Sequence, residues 1–482
     1  MTKSRVLILF EENASYYAMA YEILKRKEKD TNYTLVIFGG SIPKSLNNQR
    51  AWVTYNGGFF QNLNGIKYVL RYYVTRVFTS RKPSNVLVKS LEKSAINIMD
   101  LTGVKFRSEK ARYFKESPAF TKESHSLFRK IFLECAGEIY GTDHIEKYLK
   151  QNQIDEYLNS VRVVKQILEE ILLRTAPSEV EYMNGRFLYE RVLLEVCKKL
   201  KIESVAFESS INGRKIQKYS GASSNLIFLN EEIERFWESF SKKSGKQTAL
   251  DIAEKYFVER KMRQQTNPFL GNMKHEVKVA KEEDAMVYTY FTSSNEELRS
   301  VYSLRGEQPP DQHNLIENLI SVFNEQKTTN HKLYIRVHPN MNNKKKTDRE
   351  FYEKLSSSAK VTIIACDSGV NSYSLLSQSD VVLTLASTVG LEAAFFEIPT
   401  LTFGKTFWSG LNLSQEINDV GMVFQTKSLP TNIAKLQAAK YVVFGLESGE
   451  EYKFIDIERL STKDGRFYFD IVHWLLGKVN FF

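Results

Sequence analysis

Residues Asp380–Gly404 read DVVLTLASTVGLEAAFFEIPTLTFG and join two apolar segments through a short polar turn. The first segment is typical of a buried β-strand, and residues 391–396 have the pattern of a helix. A proline then precedes a second short apolar run, residues 400–403, which predicts another buried strand. This order of strand, turn, helix and strand predicts a parallel βαβ unit.

A regular alternation of strand and helix patterns surrounds this stretch. The segments AMVYTYFTSS (285–294), KLYIRVHPN (332–340) and VTIIACDSG (361–369) are predicted strands separated by helical patterns. Near the N-terminus, SRVLILFEEN (4–13) and YTLVIFGG (33–40) flank another helical pattern. The sequence therefore predicts an α/β protein with two Rossmann-like domains facing a central cleft.

Three segments are predicted along the chain. Residues 1–270 form an N-terminal Rossmann-like domain with a helical insertion at about 50–175, and residues 271–460 form a second Rossmann-like domain. The boundary is placed where a charged helix meets an Asn-Pro and Gly break. Residues 461–482 are predicted as an apolar helix that packs back on the first domain.

Composition restricts the class of protein. The chain has 482 residues, of which 42% are hydrophobic and 26% charged, and its formal net charge is +10. This length supports two cores. A basic balance favours anionic partners such as nucleotide-activated substrates or acidic lipid headgroups, although a generally basic soluble protein explains it equally well. Because no compact nucleic-acid motif accompanies the charge, no nucleic-acid partner is expected.

The cysteines and the hydropathy pattern predict the compartment. Cys135, Cys197 and Cys366 lie far apart without a Cys-x-x-Cys motif, which is typical of free thiols in a reducing cytosol. No stretch reaches the ~18 apolar residues that a membrane span requires. The sequence predicts a cytoplasmic protein, and any membrane contact would be peripheral, at the inner face of the cell membrane.

The polar turn inside the opening stretch is a candidate phosphate site. Ser387, Thr388, Val389 and Gly390 follow a predicted strand and begin a helix, where unpaired amides and the helix dipole favour an anion. Glycine would let a ligand approach the backbone closely, and Glu392, one turn along, could accept ribose hydroxyls. A plain helix cap with a solvated glutamate explains the same pattern.

Two further strand ends carry polar side chains. In YIRVHPN a proline follows His338, and Arg336 and Asn340 flank it, so the imidazole is predicted to bind an anion or move a proton. The alternative is a neutral histidine hydrogen-bonded to a loop. After the strand that ends at Tyr290, the hydroxyls of Thr292, Ser293 and Ser294 are explained largely by capping of the next helix.

The N-terminal domain offers a candidate acid or base. Glu208 follows a predicted strand in FESSINGR, with Asn212 and Arg214 beside it, and a carboxylate at such a strand end suits general acid–base chemistry. A salt bridge between Glu208 and Arg214 is the simpler explanation. If Glu208 is the acid or base, Arg186 in the preceding Asn-Gly-Arg turn could reach an anionic ligand.

These motifs together resemble the capsule polysaccharide synthesis proteins. The resemblance lies in SDVVLTLASTVGLEAAFFEIPTLTFG (379–404) and the preceding RVHPN (336–340), is best over about 280–405, and extends weakly to NGR and FES in the first domain. The family includes bacterial transferases that add 3-deoxy-octulosonic acid (Kdo) to capsule or lipopolysaccharide glycans. An aspartate that these enzymes carry after the first strand of the second domain is not matched here, where the chain reads FTSSNEE.

The resemblance implies a two-Rossmann glycosyltransferase of the GT-B type. Its His-Pro and Ser-Thr-x-Gly-x-Glu-Ala segments would line the site for a CMP- or UDP-linked sugar. The predicted donor-binding residues are therefore Arg336, His338, Asn340, Ser387, Thr388, Val389, Gly390 and Glu392, together with Thr292, Ser293 and Ser294. The strand-end glutamate of the family falls on Glu208, the implied acid or base, and His338 would interact with the leaving group. The implied partners are the nucleotide-sugar donor and a glycan or lipid-linked acceptor. Neither a cofactor nor a metal is expected.

Three alternatives stay open at this point. A CDP-polyol phosphotransferase of the teichoic-acid type has a similar Ser-Thr helix start, but it would use a paired histidine base, and only His338 stands out here. A nucleotide-sugar 2-epimerase is another possibility, although the acidic cluster that is usual in such enzymes is not evident in this chain. A protein that binds nucleotide or glycan without turnover would explain the missing aspartate.

Overall fold

The computed structural model describes most of the elements predicted from the sequence. The described residues are 3–10, 14–26, 31–37, 97–100, 122–140, 149–221, 229–263, 284–293, 295, 298–299, 302, 307–326, 330–339, 341, 346–426, 429–456 and 461–462. The predicted site residues Ser294 and Asn340, most of the predicted helical insertion and residues 463–482 lie outside these ranges.

The chain divides into two compact units. Unit one comprises residues 1–224 together with 449–482, and unit two comprises residues 225–448. The first change of unit therefore precedes the predicted boundary at 270, and the chain returns to unit one earlier than the predicted end of the second domain. The cleft predicted between two domains stays a prediction.

Unit one contains a mostly parallel sheet. Its strands are β1 (Lys3–Leu9), β2 (Thr31–Ile37), β3 (Asn97–Asp100), β4 (Glu179–Met183), β5 (Glu203–Ser209), β6 (Lys215–Ser220) and β13 (Glu450–Glu451). In the described residues their order is β13-β6-β5-β4-β1-β2-β3, and β6 runs antiparallel to both of its neighbours, β5 and β13. The strands of the predicted βαβ start are confirmed, whereas β3 is a strand inside the stretch that was predicted to be helical. Its apolar run extends the sheet by pairing with β2.

The helices of unit one cover the sheet with an apolar core. They are α1 (Ala14–Arg26), α2 (Lys122–Tyr140), α3 (Gln151–Thr175) and α4 (Leu188–Leu200). One core cluster joins α2, α3 and α4 to the sheet through residues such as Phe132, Leu168 and Val192, each with 0% exposure. A second cluster places α1 on another part of the same sheet through Ala18 and Leu24.

The return of the chain to unit one depends on Glu22 of α1. The Glu22 side chain is fully buried, and its carboxylate accepts hydrogen bonds from the backbone amides of Lys453 (2.7 Å), Phe454 (2.8 Å) and Ile455 (3.0 Å). Arg26 donates to the same carboxylate at 2.7 Å. Buried carboxylates require such partners, so this cluster fixes residues 453–455 on α1. The predicted C-terminal helix begins instead with a short strand, β15 (Ser461–Thr462), which pairs with β14 (Ile455–Asp456).

Unit two contains the fully parallel sheet predicted around the opening stretch. Its strands are β7 (Met286–Phe291), β8 (His331–Arg336), β9 (Val361–Ile364), β10 (Val381–Thr384), β11 (Thr400–Thr402) and β12 (Gln415–Glu416). Their order in the described residues is β12-β11-β10-β7-β8-β9. The chain runs from β7 to β9 in one direction and resumes at β10 on the other side of β7. This change of direction is a topological switch point, where open α/β sheets bind ligands.

The helices of unit two explain why it begins before residue 270. They are α5 (Leu229–Ser244), α6 (Lys246–Arg263), α7 (Gln312–Glu325), α8 (Lys346–Lys354), α9 (Ser372–Gln378), α10 (Val389–Phe395) and α11 (Thr431–Glu447), with a 3-10 helix at Val420–Phe424. The α5 helix packs on α11 through Trp237 and Val443. The α6 helix packs on α10, where the ring centroids of Phe257 and Phe395 are 4.5 Å apart. The charged segment before the predicted boundary is therefore part of this unit.

No helix among the described residues is both long enough and apolar enough to cross a membrane.

Candidate functional site

The carboxyl ends of β7, β8 and β10 lie side by side at the switch point of unit two. β7 pairs with β8 on one side and with β10 on the other. The amide of His338, after β8, donates to Oγ1 of Thr292 at 2.8 Å, and the amide of Ala386, after β10, donates to Oγ of Ser293 at 3.1 Å. The hydroxyls after β7 thus join the ends of its two neighbours.

Gln312 supports this arrangement and was not predicted. Its side chain is 2% exposed, its Oε1 accepts from the Ser293 amide at 2.7 Å, and its Nε2 donates to the Ser293 carbonyl at 3.0 Å. Gln312 is the first residue of α7, where polar side chains are usually solvated. The sequence therefore gives no signal that this amide is buried under the end of β7.

His338 is a neutral imidazole at physiological pH. Burial, and then the neighbouring Arg336 guanidinium, lower the pKa of His338 to about 4. Burial disfavours the charged form, and a nearby cation does the same. The side chain is half-buried and can donate one N–H to a ligand oxygen. It can be a cationic anion-binding group only after a ligand has raised its pKa.

Arg336 turns inward from the end of β8. It is 1% exposed, and its Nη1 donates to the Ala365 carbonyl and, at 3.1 Å, to Oγ of Ser368 in the loop after β9. Burial lowers its pKa to about 10. Its Nε and Nη2 have no hydrogen-bond partner among the described residues. The predicted donor-binding role requires a ligand that reaches this loop.

The start of α10 satisfies several of its own amides. The Ser387 amide donates to Oγ1 of Thr384 at 2.9 Å, the Gly390 amide to the Ser387 carbonyl at 2.9 Å, and the Val389 amide to Oγ of Ser387 at 3.4 Å. The turn between strand and helix has the predicted form. A phosphate at these amides would have to compete with the bonds within the turn, so the amides alone are a weaker anion site than the pattern predicted.

Gly390 has a packing role rather than the predicted ligand-approach role. A Cβ built on it would lie 3.0 Å from Cγ2 of Thr384 and 3.1 Å from Cζ2 of Trp408. Both atoms belong to the interior, since Thr384 and Trp408 are 0% and 1% exposed. The glycine is therefore required because α10 approaches the sheet closely.

Glu392 forms an ion pair that the sequence did not indicate. Nε of Arg260, on α6, donates to Oε1 of Glu392 at 2.6 Å, and Nη2 of Arg260 donates to Oγ1 of Thr388 at 2.9 Å. The Tyr373 hydroxyl also hydrogen-bonds to Glu392. Glu392 is only 3% exposed, so the carboxylate is neither solvated nor placed to accept ribose hydroxyls as predicted. Burial raises its pKa, and Arg260 opposes that rise.

Unit one carries the predicted acid or base at its own carboxyl edge. Glu208, the penultimate residue of β5, accepts from Nδ2 of Asn184 at 2.6 Å and from the Ser209 amide at 3.0 Å. Burial raises the pKa of Glu208, while the Asn184 bond and the Arg186 charge lower it. Its side-chain partner is therefore Asn184, which follows β4, and not Arg214 as the salt-bridge alternative required. A carboxylate with a raised pKa is a better base near neutral pH.

The turns around Glu208 account for the other candidates in unit one. Asn184 and Gly185 both have positive φ, 63° and 87°, and Oδ1 of Asn184 accepts from the Arg186 amide at 3.0 Å. Oδ1 of Asn212 accepts from the amide of Arg214 and from Ser210 Oγ, which builds the turn into β6. Asn212 thus stabilises the turn, whereas Asn184, a residue of the predicted Asn-Gly-Arg turn, also contacts the candidate base.

The structure groups the candidates into two sets, one in each unit. In unit two, Thr292, Ser293, His338, Ser387 and Thr388 lie at one edge of the sheet, and Arg336, Gly390 and Glu392 are directed inward from it. In the residues that the structure describes, no group of three or more His, Cys, Asp or Glu side chains is placed to hold a metal ion.

The α/β class predicted from the sequence is confirmed by these two sheets and their helices. Residues 255–440 match the family model described as capsule polysaccharide biosynthesis protein. The resemblance to that family is confirmed over this segment, which contains Arg260 and the strand ends of unit two. Among curated proteins, none matches the chain.

Several solved structures are similar to this chain at low identity. The β-Kdo 2,4 transferase KpsC of Thermosulfurimonas dismutans matches with 16% identity and a TM-score of 0.34, over 55% of this chain and 79% of that one. The β-Kdo 2,7 transferase of the same organism's KpsC gives 16% and 0.33, over 57% and 80%. The UDP-GlcNAc 2-epimerase of Neisseria meningitidis gives 12% and 0.29, over 91% and 98%.

Proposed function

We propose that this protein is a glycosyltransferase of capsule polysaccharide synthesis, which transfers a sugar from a nucleotide-activated donor to a growing surface glycan. The observation that carries the proposal is the family match over residues 255–440. The switch point of unit two, with its polar strand ends, lies within that segment and is where open α/β sheets bind ligands.

Unit two would hold the nucleotide of the donor. The hydroxyls of Ser387 and Thr388 and the neutral imidazole of His338 offer hydrogen-bond donors at one edge of the sheet. Donors fixed before the reaction stabilise charge that develops on a leaving phosphate without reorganising. As the bond between the anomeric carbon and the phosphate oxygen breaks, the growing negative charge favours N–H donation from His338.

Glu208 of unit one would act as the base toward the acceptor hydroxyl. The acceptor oxygen forms the new bond to the anomeric carbon, and its proton passes to the carboxylate of Glu208. Asn184 holds Oε2 of Glu208 at 2.6 Å and so fixes its orientation. Burial, which raises its pKa, brings the carboxylate closer to the range in which a general base is effective.

The donor and the acceptor are proposed by class. A CMP- or UDP-linked sugar supplies the phosphate that the unit two edge would bind, and it is a substrate, so the proposal requires no cofactor. A glycan or lipid-linked acceptor fits capsule synthesis. The net charge of +10 supports a peripheral contact with an anionic membrane at its inner face.

Release of free nucleotide from a donor panel tests the proposal. The panel contains CMP-sugars, UDP-sugars and CDP-polyols, each with a lipid-linked glycan acceptor. We expect release from a nucleotide-sugar by the wild type and a loss of roughly 10²–10⁴-fold in Glu208→Gln, which keeps the shape of the side chain.

Glu203→Gln is the matched control, because Glu203 is an exposed glutamate at the opposite end of the same strand. It should release nucleotide like the wild type. Release of nucleotide from CDP-polyols alone would contradict the proposal and indicate a polyol phosphotransferase. Nucleotide binding without release from any donor would replace it by a binding protein.

A further inference from the structure

The ion pair between Arg260 and Glu392 has an unequal exposure. The side chain of Glu392 is 5% exposed and that of Arg260 is 43% exposed. The carboxylate is thus held in the interior of unit two, and the guanidinium that it binds reaches the surface beside Thr388. In this arrangement the buried partner fixes the position of the exposed one.

The guanidinium of Arg260 keeps part of its bonding capacity. Among the described residues, Nε donates to Glu392, Nη2 to Thr388 at 2.9 Å, and Nη1 to the Tyr256 hydroxyl at 3.4 Å, and the Tyr373 hydroxyl also hydrogen-bonds to the guanidinium. A guanidinium has five N–H groups, so these four contacts leave one N–H for a further acceptor. That N–H, together with the positive charge, can bind an oxygen of a phosphate.

A purely structural role would make the ion pair the contact that docks α6 on α10. That contact already exists in another form, because Phe257 is 0% exposed and its ring lies 4.5 Å from the ring of Phe395. The buried ring thus packs the two helices together in addition to the ion pair, so docking of α6 alone does not account for the exposed guanidinium.

We propose that Arg260 binds the phosphate of the nucleotide at the start of α10 and that Glu392 is a positioning residue that holds Arg260 there. This inference rests on the proposed function and assigns its phosphate contact to a cation from α6, next to the Thr388 hydroxyl. The amides of the turn are largely bonded within the chain, whereas Arg260 supplies a full positive charge at the same place.

The phosphate contribution to binding is the measurement that isolates this contact. Isothermal titration calorimetry compares CMP with cytidine and UDP with uridine, first in the wild type and then in Arg260→Ala and Arg260→Lys. We expect Arg260→Ala to weaken nucleotide binding by about 10- to 100-fold, the range for hydrogen bonds to charged groups, and to leave nucleoside binding unchanged. Arg260→Lys keeps the positive charge but lacks the planar guanidinium, so its affinity for nucleotide should lie between those of the wild type and Arg260→Ala.

Lys261→Ala is the matched control, since Lys261 is an exposed cation next along α6. It should bind nucleotide as the wild type does. Glu392→Gln should weaken nucleotide binding less than Arg260→Ala and, again, leave nucleoside binding unchanged. If Glu392→Gln does not fold, the Arg260 variants still decide the question.

The outcomes separate this inference from the function on which it rests. A wild type that prefers nucleotide over nucleoside, with the same preference in Arg260→Ala, overturns the assignment of Arg260 and leaves the glycosyltransferase proposal standing. A wild type that binds no nucleotide overturns both.

Discussion

The backbone amide of His338 donates to Oγ1 of Thr292 across 2.8 Å, and this bond joins the ends of the neighbouring strands β8 and β7. Thr292 is 1% exposed, so water cannot replace its hydroxyl. The geometry of the candidate site thus depends on one buried side chain that itself need not contact a ligand.

Thr292→Val should destabilise unit two by about 1–3 kcal/mol, because the amide of His338 would be left without an acceptor in the interior. Urea unfolding measures the difference. Thr292→Ser keeps the hydroxyl, loses only a methyl group, and should unfold much closer to the wild type. Equal unfolding of the wild type and Thr292→Val would mean that the bond has no structural importance.

Gly390→Ala should also destabilise the protein, since the added Cβ would lie 3.0 Å from Thr384 and 3.1 Å from Trp408. Overpacking of this kind typically costs about 1–3 kcal/mol. Gly421→Ala is the control, because Gly421 is exposed and its nearest neighbour would be 3.4 Å from the new Cβ. Unchanged stability in Gly390→Ala, with weaker nucleotide binding, would restore the ligand-approach role that the sequence predicted.

Burial of Glu181 should make unit one less stable as the pH rises. Glu181 is 1% exposed beside Arg5, and burial, followed by the neighbouring Glu179, raises its pKa to about 7. Between about pH 4.5 and 7 the folded state binds the proton and the unfolded state does not, so the contribution of Glu181 to stability is fully present below pH 4.5 and falls by up to about 3 kcal/mol through this window. Glu181→Gln should remove this dependence in denaturant titrations at pH 5 and pH 8, and a slope equal to that of the wild type would contradict it.

His338 should have the opposite effect in unit two. Its pKa is lowered to about 4, so between pH 6.5 and 4 the unfolded state binds the proton and the folded state does not. Stability is therefore lost as the pH falls through this window, by about 1–3 kcal/mol for a half-buried group. His338→Gln should unfold with a flatter dependence on pH below 6.5. A variant that keeps the wild-type acid sensitivity would show that other groups cause it.

The sequence was sufficient for the fold of unit two because its signals are local. Each strand from β7 to β11 is a short apolar run between polar turns, and the polar residues after them had to lie at one edge of a parallel sheet. His338, Ser387 and Thr292 therefore lie at the strand ends where the sequence predicted them, and their role in binding stays a prediction.

The parts that could not be predicted depend on contacts far apart in the chain. Arg260 and Glu392 are separated by 132 positions, and nothing in either segment indicates the other. Gly390 is a packing glycine because of Trp408, and Glu22 is a buried anchor because residues 453–455 return to it. Each of these contacts forms only when distant segments of the chain come together within one unit.

The mass of the acceptor glycan tests the central claim most directly. A lipid-linked acceptor is incubated with the wild type and a panel of CMP- and UDP-sugars, and the product is analysed by mass spectrometry. The account predicts a gain of the mass of one sugar residue with one donor of the panel, together with an equal amount of free nucleotide. An acceptor of unchanged mass with every donor, while nucleotide still binds, would contradict it.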